Sequence, residues 1–266
     1  MAGLLDRGTE TLVAGSFAPE QVAAELIGRP FYPGPDLAWE IDLEWDLRLR
    51  EAEARGAEFF DGELARLVDC ELREGVLQLR LQRTSYKAFV GTNLRDTSLP
   101  DHLRADPLGN SAVVVTADGK IIVGRRSEAV FGHPGWYHCI GGHIDPDLHA
   151  DGRVVDTFRA VTDEVTEELN VMADELEEIV CLGVIRDAAS RQPEQLFAVR
   201  LRREAHELLA RGGEHESLFP IDDTPEEVER FLGESGDKTV PVARAALRMH
   251  AGLEDSQEEQ APPKQG

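Results

Sequence analysis

The chain has 266 residues, is 41% hydrophobic, and carries 51 acidic against 28 basic residues for a formal net charge of −23. That is enough apolar material for one good core plus an addition, and far too negative for general binding to a nucleic-acid polyanion. No apolar run approaches the length of a membrane span, Met1-Ala-Gly-Leu-Leu-Asp-Arg7 has no basic leader with an apolar segment behind it, and the expected compartment is the cytosol. Cys70, Cys139 and Cys181 are scattered and fit neither a disulfide framework nor a zinc site; Cys139 reads as a small buried residue, not a nucleophile.

In chain order, residues 1–18 show little periodicity and read as a loose arm, and a short helix is expected over Pro19–Leu26. Leu37, Ile41, Leu43, Trp45, Leu47 and Leu49 make Asp36–Arg55 mostly helical. Leu77, Leu79 and Leu81 alternate with polar residues, so Asp61–Gln82 holds two strands around a Glu74-Gly75 turn. Thr84–Asn93 is a short amphipathic helix or turn. Ser111–Thr116 and Lys120–Gly124 form a hairpin around Ala117-Asp118-Gly119, and Trp136–Ile140 is a third strand running into a Gly141-Gly142-His143 turn. There the missing side chains would let backbone amides approach a ligand. Strands follow near Ile179–Ile185, Gln195–Leu201 and Ser217–Ile221, with helices near Arg203–Arg211 and from Pro225 and Val240. The polar, Pro-containing end is expected to be disordered. There is no internal repeat.

Between the glycines and the later strands lies an acidic run, Asp163-Glu164-Val165-Thr166-Glu167-Glu168. Val154, Phe158, Val161, Val165 and Leu169 give it an apolar stripe with helical spacing, so a helix from about Arg153 to Leu169 is predicted. Glu168 then lies about 60° from the centre of the stripe, Glu164 about 100° and Glu167 about 160°. Carboxylates one turn apart repel unless a cation sits between them, and hard oxygen donors suit Mg²⁺ or Mn²⁺. Acidic helix faces are also common as plain solvated surfaces, and the run by itself favours that reading.

The order strand, double glycine, loop, acidic helix resembles the Nudix hydrolase superfamily. Glu164-Val165-Thr166-Glu167-Glu168-Leu169-Asn170-Val171 matches the second half of its box, E-U-x-E-E-x-G-U with U aliphatic, except that Asn170 stands at the glycine. Asn tolerates the left-handed cap that the glycine serves. Two further departures are Asp163 at the box arginine, which in the family orients a metal-binding glutamate, and a lengthened loop Ile144–Gly152 in which Asp145 is a stand-in for the first acidic residue of the box. Arg83-Thr-Ser-Tyr-Lys-Ala-Phe-Val-Gly-Thr-Asn93, Ala105-Asp-Pro-Leu-Gly109, Arg125-Arg-Ser127, Leu182-Gly-Val-Ile-Arg186 and Glu214-His-Glu-Ser217 resemble an atypical branch that includes UDP-sugar diphosphatases, over roughly residues 20–250.

The resemblance implies an α+β Nudix fold, an α/β/α sandwich about a mixed central sheet. Residues 1–104 form an N-terminal α+β extension contributing to nucleoside binding, 105–252 the hydrolase domain, and 253–266 a disordered tail. It implies Mg²⁺-dependent cleavage, with Mn²⁺ as a substitute, of a UDP-sugar such as UDP-glucose or UDP-galactose to UMP and sugar 1-phosphate. Glu164 and Glu168 are the metal ligands, with Glu167 assisting directly or through water. The general base is open among Glu164, Glu168 and the pair His215 and Glu216, placed on a loop after Gly212-Gly213. Arg125 or Arg126 clamps a phosphate; in an extended strand the two point to opposite faces, so one reaches substrate and the other makes a structural salt bridge. Gly141, Gly142 and His143 lie near the phosphates. Tyr86, with Phe89, offers an aromatic face for the base, and Thr92 and Asn93 add hydrogen bonds. The implied partner is a small nucleotide sugar, without nucleic acid or membrane, and a homodimer is compatible with the family. Rival readings are hydrolysis of another nucleoside diphosphate derivative such as ADP-ribose, and a catalytically silent nucleotide-sugar sensor.

Overall fold

The computed structural model describes residues 8–55, 59–96, 98–128, 130, 132–208 and 215–253. The first seven residues of the expected arm, and the expected disordered tail beyond Leu253, lie outside the described residues. In chain order the elements are β1 (Thr9–Phe17), β2 (Val22–Leu26), α1 (Pro35–Arg55), β3 (Glu63–Arg73), β4 (Val76–Ser85), α2 (Tyr86–Phe89), β5 (Gly109–Val115) and β6 (Lys120–Arg126). They continue with β7 (Tyr137–His138), β8 (Ile140–His143), α3 (Pro146–His149), β9 (Ala150–Asp151), β10 (Val154–Val155), α4 (Thr157–Leu169), β11 (Leu176–Asp187), β12 (Pro193–Leu201), β13 (His215–Asp222), α5 (Pro225–Ser235) and α6 (Pro241–His250).

Among the described residues the strands form two sheets. The larger is mixed and runs β1-β11-β12-β5-β6-β13, with β8 added to β5 and β7 to β6. Its centre is β5, buried at all seven positions and parallel to β12. Alternate residues of β5 feed two cores. Ala112 and Val114 pack with Val161, Val165 and Leu169 of α4, whereas Val113 and Val115 pack with Ala243, Ala246 and Leu247 of α6. The smaller sheet, β3-β4-β2-β10-β9, places Leu77, Leu79 and Leu81 in the same core as α4. The result is α+β, a mixed central sheet with helices on both faces.

Several expectations are corrected. Residues 9–17 are not a loose arm but β1, paired antiparallel to β11 at the edge of the large sheet. The segment from Pro19 is a single 3-10 turn, Pro19–Gln21, after which Val22–Leu26 runs as a strand parallel to β4. Strand pairing therefore crosses the residue 104/105 boundary from both sides, through β1 with β11 and β2 with β10. The acidic helix begins at Thr157, not near Arg153. Asp156 accepts from Arg159 N at 2.9 Å and caps it, and Val154 pairs instead with Glu25 in the small sheet. In place of a helix over 203–211 there is a 3-10 turn at Ala205–Glu207, and residues 209–211 lie outside the described residues.

Other elements form as read. Glu74 and Gly75 both have positive φ (52° and 80°), the pattern of a type I′ turn joining β3 to β4. Asn170 caps α4 at φ 53°, ψ 48°, in the left-handed region that its side chain tolerates.

Candidate active site

Helix α4 lies on one face of the large sheet with Val161, Val165 and Leu169 buried, which lifts its acidic residues into three settings. Glu164 is half-buried against β8: a Cβ built on Gly142 would lie 2.1 Å from Glu164 Oε1. Glu168 is half-buried one turn on, with Oε2 2.8 Å from His215 Nδ1. Glu167 is exposed, in keeping with its angular distance from the apolar stripe. Asp163, at the position of the box arginine, turns away from this pair, to His149 Nε2 at 3.3 Å and Arg159 Nε at 3.7 Å. Asp145, the stand-in for the first box acid, caps α3 by accepting from Asp147 N at 2.8 Å.

The two glycines do not form a turn. They lie inside β8, paired with Asn110 and Ser111 of β5. Their missing side chains admit protein atoms: a Cβ at Gly141 would be 2.0 Å from the Asn110 carbonyl oxygen, and one at Gly142 would displace Glu164. His143 ends the strand, where Gln192 Nε2 donates to its Nε2 at 3.0 Å.

Gly141, Gly142 and His143 border a cleft of about 870 Å³. One wall is aromatic. Tyr86 stands edge-on to Trp45 and Phe59, with ring centroids at 6.2 and 5.5 Å, and Phe89 is 5.9 Å from the His143 ring. Opposite lie Arg126, His133 and the turn at 187–192, which Asp187 Oδ1 shapes by accepting from Ala189 N, Ser190 N and Ser190 Oγ. Burial, then the nearby Arg126, push the His133 imidazole below its ordinary value.

The arginine pair divides as strand alternation demands. Arg126 lines the cleft and donates to the Gly132 carbonyl at 2.8 Å, whereas Arg125 lies 3.4 Å from Glu216. His215 and Glu216 are on β13, not on a loop, and Gly212-Gly213 lie outside the described residues. A bulge between His215 and Ser217 turns His215 toward α4 and leaves Glu216 beside Arg125, apart from Glu168.

Thr92 and Asn93 are corrected outright, because both are fully buried and hydrogen-bonded inside the fold. Thr92 Oγ1 donates to the Ala88 carbonyl at 2.7 Å and accepts from Ala105 N at 3.0 Å. Asn93 Nδ2 donates to Asp106 Oδ1 at 2.7 Å and to the Ser190 carbonyl at 3.0 Å. They brace the cleft and do not line it.

Several cleft residues escaped the sequence reading, Phe59 and Glu194 among them. Phe59 stacks on Trp45 at 4.6 Å, but it follows α1 without any periodicity to mark it. Glu194 is only 7% exposed and accepts from Ser111 Oγ at 2.6 Å. The one signal was a carboxylate just ahead of the apolar run Leu196-Phe197-Ala198-Val199. Cys139, between β7 and β8, is no nucleophile: burial, then Glu194, push its thiol up to about 12. In the folded protein Cys139 is expected to stay unmodified by iodoacetamide at pH 8 and to react only after urea is added, as peptide mass mapping would record.

Among the described residues no three His, Cys, Asp or Glu side chains converge to cage a metal ion. Two carboxylates one helical turn apart, beside an open cleft, fit instead an ion that completes its shell with water and substrate phosphate oxygens, which is the habit of Mg²⁺. No helix among the described residues is long and apolar enough to cross a membrane.

Sequence similarity to known proteins shows that the chain belongs to the Nudix hydrolase family. It is 33% identical over 209 residues to the human uridine diphosphate glucose pyrophosphatase NUDT22, covering 66% of this chain and 67% of that protein. It is 35% identical over 150 residues to Nudix hydrolase 9 of Arabidopsis thaliana, covering 46% of this chain and 48% of that protein. The chain thus spans about half the length of the plant relative and about two thirds of the human one. Among solved structures, DR0079 from Deinococcus radiodurans aligns at a TM-score of 0.45 and 15% identity, over 71% of this chain and 98% of that one. No protein-family model matches the chain.

Proposed function

We propose that the chain hydrolyses the diphosphate bond of a UDP-sugar, giving UMP and sugar 1-phosphate, with Mg²⁺ held by Glu164 and Glu168. The observation that carries this reading is the contact of Glu164 with Gly142, which sets the acidic helix directly behind the cleft. The name of the human relative supplies the substrate class. Glu164 and Glu168 would hold the divalent ion, which would supply neutralisation of phosphate charge and a more acidic water. Arg126 donates to a phosphate oxygen, a contact that strengthens as charge moves onto the leaving phosphate. Water adds its oxygen to one phosphorus, the bridging P–O bond breaks, and the departing phosphate keeps the bridging oxygen. The proton from water passes to a carboxylate of the Glu164 and Glu168 set. Tyr86, on the aromatic wall of the same cleft, provides the ring on which the base stacks.

A panel of nucleotide sugars incubated with Mg²⁺ tests the reading. UMP release from UDP-glucose or UDP-galactose is expected; release from adenine substrates alone would reassign the enzyme to ADP-ribose-like compounds, and binding without turnover would make it a sensor. Tyr86→Ala is expected to raise KM for the UDP-sugar about 5- to 100-fold while kcat changes little, because base stacking is worth about 1–3 kcal/mol and lies away from the reacting phosphates. Steady-state kinetics with an unchanged KM would remove Tyr86 from the base site.

A further inference from the structure

We propose that His215 is a positioning residue that fixes the Glu168 carboxylate for metal binding, an inference that rests on Glu164 and Glu168 being the ligands. Three independent features converge on it. The His215 side chain is 3% exposed, and its Nδ1 lies 2.8 Å from Glu168 Oε2. The bulge between His215 and Ser217 breaks the register of β13 with β6 where this ring turns inward. Gly124, on the adjacent strand, leaves the room it fills: a Cβ there would lie 2.2 Å from the imidazole Cδ2.

The acceptor gives the contact its direction: an ionised carboxylate has no proton to donate, so at 2.8 Å it is Nδ1–H of His215 that donates to Glu168 Oε2. Carboxylates that ligate metals are themselves held by hydrogen bonds, and loss of such a partner commonly weakens metal affinity 10- to 100-fold. His215 thereby ties β13 to α4 through one of the two proposed ligands, and it has no need to touch substrate.

The test measures Mn²⁺ binding to the full chain by electron paramagnetic resonance, alongside the Mg²⁺ dependence of hydrolysis. His215→Leu, which keeps bulk but removes the donor, is expected to weaken Mn²⁺ binding about 10- to 100-fold. Gly124→Ala, which pushes the ring off Glu168 without touching either ligand, should do the same. His215→Asn, whose amide can donate from near the Nδ1 position, should recover most of the affinity. Where His215→Leu fails to fold, Gly124→Ala and His215→Asn carry the comparison. Wild-type Mn²⁺ affinity in folded His215→Leu or in Gly124→Ala, together with loss of binding in Glu168→Gln, would overturn the positioning role and leave the metal site standing. Unchanged binding in Glu168→Gln would overturn the metal site itself.

Discussion

Glu168→Gln is expected to lower kcat/KM for a UDP-sugar by at least about 10²-fold, equivalent to about 3 kcal/mol of transition-state stabilisation, while the thermal midpoint stays close to wild type. The substitution keeps the shape of the side chain and its bond to His215, and removes only the negative charge. Glu164→Gln should behave alike, because its carboxylate packs against Gly142, which lines the cleft. Glu167→Gln, on the exposed side of α4, should cost much less. Equal losses in all three would mean that the helix acts as a diffuse acidic surface, and the ranking by helical angle would be wrong. Circular dichroism on each variant separates lost chemistry from lost fold.

The second large effect concerns stability. Asp106→Ala is expected to cost about 3–5 kcal/mol, read as a lower urea midpoint at unchanged slope. Arg104 and Asp106 side chains are 3% and 4% exposed, with Arg104 Nε 3.1 Å from Asp106 Oδ1. Removing the carboxylate strands much of a buried guanidinium and also deprives Asn93 Nδ2 of an acceptor at 2.7 Å. Asp101 and the Leu99 carbonyl still receive Arg104, which places the loss toward the lower end. Asp106→Asn retains an acceptor and should lose less. Because Asn93 also holds the Ser190 carbonyl, the variant should loosen the 187–192 rim of the cleft and raise KM. A midpoint shift worth under about 1 kcal/mol would show the pair to be far better hydrated than its burial implies.

Much of the fold was legible because local rules and tertiary packing agree. The alternation in Leu77, Leu79 and Leu81, the Glu74-Gly75 turn and the stripe Val161, Val165, Leu169 each report a periodicity that burial then enforces. Where the reading failed, partners distant in sequence made the choice. Residues 9–17 carry no strong pattern, and become a strand because β11 offers an unpaired edge. Val154 fits the helical stripe, yet Asp156 caps the helix after it and β2 takes Val154 into a sheet. Thr92 and Asn93 look like polar groups offered to a ligand. They are consumed by Ala105, Asp106 and Ser190, the last of these nearly a hundred residues away on the basis of its separation from Asn93 of 97.

The sequence by itself determined the acidic helix, its cap at Asn170, the hairpins, the opposite facing of Arg125 and Arg126, and the family resemblance. All of these are encoded in spacings of a few residues, where one side chain fixes the conformation of its near neighbours. Only the tertiary structure decided which groups meet at the site. That Glu164 fills the space of Gly142, that Glu168 is held by His215, and that Phe59 and Glu194 border the cleft depend on strand register and on a bulge. Register shifted by one residue would turn His215 on β13 or Glu194 on β12 to the other face of the sheet, and no local pattern records which partner strand sets it.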